Sequence, residues 1–145
     1  MPPMDEPNHP RLRQYVHEHT KAWSATVDSA DAFIFVTPEY NFGMIAPLKN
    51  ALDYLSAEWN GKPVGFVSYG GVSAGLRGVQ MAKQVVTTLQ MMPVAEAVSI
   101  PMVASFFDEE KQFHPNEILE TSATALLDAL ERWTKAMRPL REKAA

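Results

Sequence analysis

Apolar residues recur at helical spacing between residues 11 and 29, where Leu12, Tyr15, Val16, Ala22, Trp23 and Val27 form one stripe. Asn8 or His9 ahead of Pro10 offers a capping side chain and a first-turn proline. The spacing therefore predicts a helix over 11–29, behind an irregular, proline-rich lead-in at 1–10. Ala30 and Asp31 then turn the chain into Ala32-Phe33-Ile34-Phe35-Val36, a near-continuous apolar run of the kind buried on both faces of a parallel sheet. A helix is predicted over 47–56, with Pro47 in its first turn. Asn60-Gly61-Lys62-Pro63 reads as a turn and 64–69 as a second strand. Val79, Ala82, Val85, Val86 and Leu89 stripe a helix over 76–89, which breaks at 90–93. Residues 95–100 form a third, shorter strand ended by Pro101, and 102–116 a loop centred on 106–110. The last helix spans 116–138, with Ile118, Leu119, Leu126, Leu127, Leu130 and Trp133 on its apolar face. Arg132, Lys135 and Arg138 suit its C-terminal dipole.

Helices and strands thus alternate along the chain. That order predicts an α/β fold, a parallel sheet with helices on both faces. At 145 residues the chain is one domain, expected to cover 1–145. Apolar residues make up 46% and charged residues 21%, ordinary for a globular protein. The formal net charge of −4 argues against a nucleic-acid partner and a polybasic membrane anchor. No apolar run reaches the roughly 18 residues of a membrane span. The lead-in lacks the basic and apolar regions of a signal peptide, so a cytoplasmic location is expected. With no cysteine, disulfides, thiolate nucleophiles and Cys-ligated metal or iron–sulfur sites are excluded. His17 and His19, two apart, should lie on different faces of their helix. The four histidines have no metal-binding spacing, and no metal site is expected.

Candidate chemistry concentrates in two loops. Thr37-Pro38-Glu39-Tyr40-Asn41-Phe42-Gly43 follows the first strand and runs into a helix. Gly70-Gly71-Val72-Ser73-Ala74-Gly75 follows the second strand and does the same. Open α/β sheets bind ligands just outside the carboxyl ends of their strands, where both loops fall. The second loop also fits G-x-S-x-G, with Ser73 as a nucleophile and Asp108 and His114 following in hydrolase order. A serine hydrolase is therefore a minor alternative.

Three blocks carry a family resemblance. They are the run from Ser29 to Asn41 with its Thr-Pro-Glu-Tyr-Asn end, Pro47-Leu48-Lys49-Asn50-Ala51-Leu52-Asp53, and Lys62-Pro63 followed by Gly70-Gly71, Ser73, Gly75 and Arg77. In this order and spacing the chain resembles the NAD(P)H-dependent FMN reductases. The resemblance implies a flavodoxin-like three-layer sandwich with a parallel sheet. It also implies an oxidoreductase that uses FMN and NADPH (or NADH) to pass electrons to a small-molecule acceptor, a flavin, quinone or azo-type compound. Pro38, Glu39, Tyr40 and Asn41 would form a loop at the flavin ring edge, with Gly43 easing the backbone turn. Tyr69, Gly70 and Gly71 would line the other edge, and Ser73 and Arg77 would offer polar contacts. A homo-oligomer, dimer or tetramer, is implied, with the helix starting at Pro47 and the stretch from Met91 to Met102 as interface candidates. The family pattern opens with a strand and a phosphate-binding loop that nothing in this sequence matches. The resemblance thus implies an N-terminally truncated domain, with strand 32–36 left as an apolar edge. The alternative to an enzyme is a non-catalytic remnant or partner subunit of that fold.

Overall fold

Three strands run parallel, and each is followed by a helical segment that returns the chain to the start of the sheet. The computed structural model describes residues 1–142. Its elements are α1 (Glu18–Ser29), β1 (Phe33–Tyr40), β2 (Gly43–Met44), α2 (Ala46–Asp53), β3 (Pro63–Tyr69), α3 (Leu76–Thr88), β4 (Met92–Ile100) and α4 (Glu117–Glu142). The sheet order is β2-β1-β3-β4. β1 pairs with β3 in parallel from Phe33↔Val64 to Pro38↔Tyr69, and β3 pairs with β4 in parallel from Pro63↔Met92 to Tyr69↔Ile100. β2 is a two-residue antiparallel return on β1, with Tyr40 opposite Gly43.

Alternation along β3 divides the core in two. Val64 and Phe66 face one layer, where they pack with Val27, Leu52, Trp59, Val79 and Val86. Gly65, Val67 and Tyr69 face α4, which presses so closely that a Cβ on Gly65 would stand 2.4 Å from Leu126 Cδ1. The result is a helix–sheet–helix sandwich, as expected for a flavodoxin-like chain.

The first helix is shorter than the periodicity predicts. Pro10–Leu12 make a single 3-10 turn capped by the His9 side chain, Arg13 takes a left-handed φ of 51°, and the α-helix starts only at Glu18. Tertiary ties outweigh local spacing here. Arg13 reaches Asp28 at 2.5 Å and Tyr15 Oη donates to Glu58 at 2.8 Å. The backbone N–H groups of Val16 and His17 donate to the Glu6 carboxylate, at 2.8 and 3.0 Å. Because His17 is extended backbone ahead of the helix, its ring stacks on His19, centroids 5.2 Å apart, rather than facing away.

β1 departs most from expectation. It runs on through Pro38, Glu39 and Tyr40, which belong to the strand and not to a loop. Nor is it buried on both faces. Phe33 and Phe35 pack edge-on against Trp59, but Ile34 and Val36 are 42% and 65% exposed. The reason is coverage: α4 packs on β4 and β3, and nothing among the described residues pairs with the outer edge of β1 before Glu39.

Smaller adjustments follow from packing. α2 ends at Asp53 and the chain re-enters a 3-10 turn, Ala57–Trp59, that buries Trp59 completely, its indole N–H on Leu52 O at 3.1 Å. β4 begins at Met92, earlier than predicted, because Met92 N–H joins the ladder through Lys62 O, and Met91 is core. α4 continues past 138 to Glu142, through Pro139. No helix among the described residues is long and apolar enough to cross a membrane.

Candidate functional site

The carboxyl ends of β1 and β3 lie side by side, because Pro38 pairs with Tyr69 in the last rung of their ladder. The chain leaves β1 through a hairpin turn and leaves β3 through the glycine loop. The two meet around a cleft of about 430 Å³ lined by Glu39, Asn41, Phe42, Gly70, Gly71, Val72, Ser73 and Arg77.

The turn is Tyr40-Asn41-Phe42-Gly43. Its two central residues have positive φ, 51° at Asn41 and 67° at Phe42, the signature of the mirror-image turn that suits the twist of a two-residue hairpin. Gly43 is not the residue in left-handed backbone. A Cβ there would meet only Met81 Sδ at 3.5 Å and Tyr40 O at 3.8 Å, ordinary contacts. Glycine is required instead at position 75, where φ is +79° and a Cβ would stand 3.0 Å from Tyr69 O and 3.1 Å from Tyr69 N. That close approach starts α3 directly against the end of β3.

The glycine loop is clamped from β4. Gly70 N–H donates to Ile100 O, and Met102 and Val103 N–H donate to Gly71 O and Gly70 O. Among the described residues, the N–H groups of Gly71, Val72 and Ser73 have no protein acceptor, and a Cβ on Gly71 would meet nothing within 4 Å. The loop that lines the cleft therefore keeps three backbone donors free of protein partners among the described residues.

Glu39 crosses between the loops. Its side chain is only 5% exposed and lies at the first turn of α3. One carboxylate oxygen accepts from Arg77 Nε at 2.5 Å and faces Ser73 Oγ at 3.4 Å; the other accepts from the backbone N–H of Arg77 at 2.9 Å and of Gly78 at 3.4 Å. Arg77 Nη2 closes the ion pair. The Arg77 hydrogen bond holds the Glu39 carboxyl below the ordinary glutamate range; desolvation opposes this, and the two N–H donors add to it. The guanidinium lies 3.8 Å from the centroid of the Phe42 ring.

The sequence-predicted residues divide accordingly. Glu39, Asn41, Gly70, Gly71, Ser73 and Arg77 come together at the cleft. Pro38 and Tyr69 form the ladder rung beneath it, Tyr69 packing in the α4 layer. Tyr40 is 70% exposed at the base of the turn, opposite Gly43. Phe42 and Val72 line the cleft without having been singled out as site residues. The signal for Phe42 was available: a bulky side chain stands where a hairpin turn favours glycine.

Chemically, the cleft has shape and donors but no proton-transfer group. Its one carboxylate is committed to Arg77, and Ser73 has no imidazole partner among the described residues, since His114 Nε2 pairs with Asp108 Oδ2 at 2.7 Å. Another cleft, beside Lys62 and Gly61, is lined by charges already paired with one another: Arg13 with Asp28 and Glu58, and Arg141 with Asp31. No cluster among the described residues could hold a metal ion.

A parallel sheet whose adjacent strand-end loops frame a cleft beyond their carboxyl ends defines a flavodoxin-like α/β protein. Its sequence matches the family model described as NADPH-dependent FMN reductase over residues 2–105, and the chain belongs to that family. It is 48% identical over 101 residues to an NAD(P)H-dependent FMN reductase of Schizosaccharomyces pombe, covering 67% of this chain and 50% of that protein. It is 37% identical over 118 residues to an NAD(P)H-dependent FMN reductase of Saccharomyces cerevisiae, covering 78% and 61%. An NADPH:quinone oxidoreductase of Arabidopsis thaliana is 40% identical over 68 residues, 45% of this chain and 35% of that one. The chain thus spans about half the length of the first curated relatives it matches. Among solved structures, FerB, a flavoenzyme NAD(P)H:(acceptor) oxidoreductase from Paracoccus denitrificans, superposes with a TM-score of 0.73 at 20% identity, covering 94% of this chain and 76% of that one. That likeness concerns the fold.

Proposed function

We propose that this chain acts in an NAD(P)H-dependent oxidoreductase of the FMN reductase type, passing electrons through FMN to a flavin, quinone or azo-type acceptor. The observation that carries the reading is the cleft itself: two strand-end loops converge on it, the glycine loop that lines it keeps backbone N–H groups without a protein acceptor among the described residues, and no side chain lining it is set up for acid–base chemistry. Those features fit a planar ring held by backbone. FMN, when bound, supplies the hydride chemistry, so the protein's task is to bind and orient.

In this reading Asn41, Gly70, Gly71 and Ser73 contact the ring, while Pro38, Tyr69 and Gly43 set the height and spacing of the two loops. Tyr40 extends the ring-edge surface outward. Glu39 and Arg77 lock the second loop to the first. NADPH or NADH is the electron donor, and the acceptor is a small molecule. We assign the protein to the cytoplasm and to a homo-oligomer. The apolar outer edge of β1, with Ile34 and Val36 exposed, favours function alongside further protein surface over a lone monomer.

The test is titration of the purified chain with FMN, followed by NADPH oxidation with menadione as acceptor. Saturable quenching of flavin fluorescence and flavin-dependent turnover are expected. A chain that ignores excess FMN would refute the reading.

A further inference from the structure

Phe42 is hard to explain as a folding residue. It sits in left-handed backbone at φ 67°, a conformation that is a real outlier for a bulky side chain. Glycine is the residue such a turn favours at this position, after asparagine. The strain is not offset by burial, because Phe42 is 69% exposed and belongs to neither core cluster. Its one described ring partner is the Arg77 guanidinium, 3.8 Å from its centroid. A solvent-exposed cation–π contact is worth too little to offset a left-handed phenylalanine alone.

The ring nevertheless lines the cleft. Resting on Arg77, it exposes apolar surface beside the unpaired donors of the glycine loop. Arg77 brings no free positive charge with it, because Glu39 is ion-paired to it. The same carboxylate occupies the first-turn N–H groups of α3, so the anion-binding end of that helix is already filled. The combination offers a flat apolar face beside backbone donors, which suits a flat, uncharged ring.

We infer that Phe42 is a specificity-determining residue: an aromatic platform, held in strained backbone against the Glu39–Arg77 pair, that stacks on an uncharged planar ring in the cleft. This rests on the oxidoreductase reading for the identity of the ring, an isoalloxazine or a quinone.

The experiment is equilibrium dialysis of the full chain against riboflavin, a flavin ring without phosphate, and separately against menadione, a naphthoquinone. Both are run on wild type, Phe42→Gly and Phe42→Trp, with a thermal midpoint for each. Phe42→Gly should melt at or above the wild-type temperature, since glycine suits the turn. It should weaken binding of at least one ring by about 3- to 10-fold, the scale of one aromatic stacking contact. Phe42→Trp should restore it. Loss for riboflavin alone identifies the flavin ring as the partner, and loss for menadione alone identifies the acceptor. Equal binding by Phe42→Gly and wild type would overturn the inference, as would wild type binding neither ring or Phe42→Gly melting lower in the manner of a packing residue. Phe42-dependent ring binding without NADPH oxidation would refute the reductase reading and leave the platform standing. Flavin-dependent turnover with binding indifferent to position 42 would do the reverse.

Discussion

The carboxylate of Glu39, on β1, is bound by both the side chain and the backbone of Arg77, in the first turn of α3. One strand-end side chain therefore caps a helix that begins at Leu76 and ties the hairpin turn to the glycine loop. Glu39→Ala should release the two loops from each other and lower FMN affinity by roughly tenfold or more, the scale of a small misplacement of binding groups. Flavin titration of the variant against wild type measures this.

The same pair sets a pH dependence. Because its folded pKa lies below the ordinary value of 4.5, Glu39 contributes stability that is fully present above pH 4.5. That contribution is lost as pH falls through the lowered folded value. Thermal midpoints of wild type and Glu39→Gln between pH 3 and pH 7 should differ at neutral pH and converge in the acid limb. A difference that persists unchanged to pH 3 would contradict the assignment.

Glu58 is the anchor of the first layer. It is buried and accepts from Ser24 Oγ at 2.7 Å, Tyr15 Oη at 2.8 Å and Ser56 N–H at 3.2 Å, with Arg13 Nε at 3.4 Å. Desolvation pushes its pKa up, but the hydrogen bonds outweigh it and keep the carboxyl below its ordinary value. Glu58→Ala leaves Arg13 without part of its pairing, Ser24 Oγ and Ser56 N–H without an acceptor, and Tyr15 Oη with only Pro10 O at 3.4 Å. It should cost about 3 kcal/mol in urea denaturation. Tyr15→Phe should cost about 1 kcal/mol.

Two glycines of the second loop should separate stability from binding. Gly75→Ala forces a Cβ against the β3 backbone in left-handed geometry and should destabilise by about 1–3 kcal/mol. Gly71→Ala adds a methyl group into open space, so its stability should change by less than about 0.5 kcal/mol. The same methyl group stands where a ring would approach, so FMN binding should weaken. Paired denaturation and flavin titration of both variants check this.

Val36→Lys tests the exposed edge. Val36 is already 65% exposed, so the lysine should leave the melting temperature nearly unchanged. A charge on a free apolar edge opposes edge-to-edge pairing, so concentration-dependent association in sedimentation should fall.

Much of this molecule is legible along the chain. The alternation of striped helices with short apolar runs reads correctly as parallel α/β, and the turn residues after the first two apolar runs locate both segments that frame the cleft, although β1 runs on to Tyr40 where the pattern ends it at Val36. Boundaries were less legible wherever distant partners decide them. The stripe from Leu12 to Val27 has helical spacing, yet Arg13, Tyr15 and Glu6 are drawn off to Asp28, Glu58 and the backbone ahead of α1, and the helix begins late. Lys62 reads as part of a turn, but its ammonium is buried on the carbonyls of Val27 and Asp28, at 2.6 and 3.1 Å, where burial lowers its pKa.

Local pattern determined the order of elements and the two loops, because hydrophobic period and turn residues are properties of neighbouring positions. Tertiary structure alone decided that Glu39 is a buried cap rather than a solvated carboxylate, and that Phe42 lies on Arg77. It also decided that Ser73 faces Glu39 while His114 pairs with Asp108, and that β1 is covered on one face only. Apart from the His114–Asp108 pair, six residues apart, each of these depends on groups tens of residues apart meeting within a few ångströms, and chain spacing carries no record of that distance.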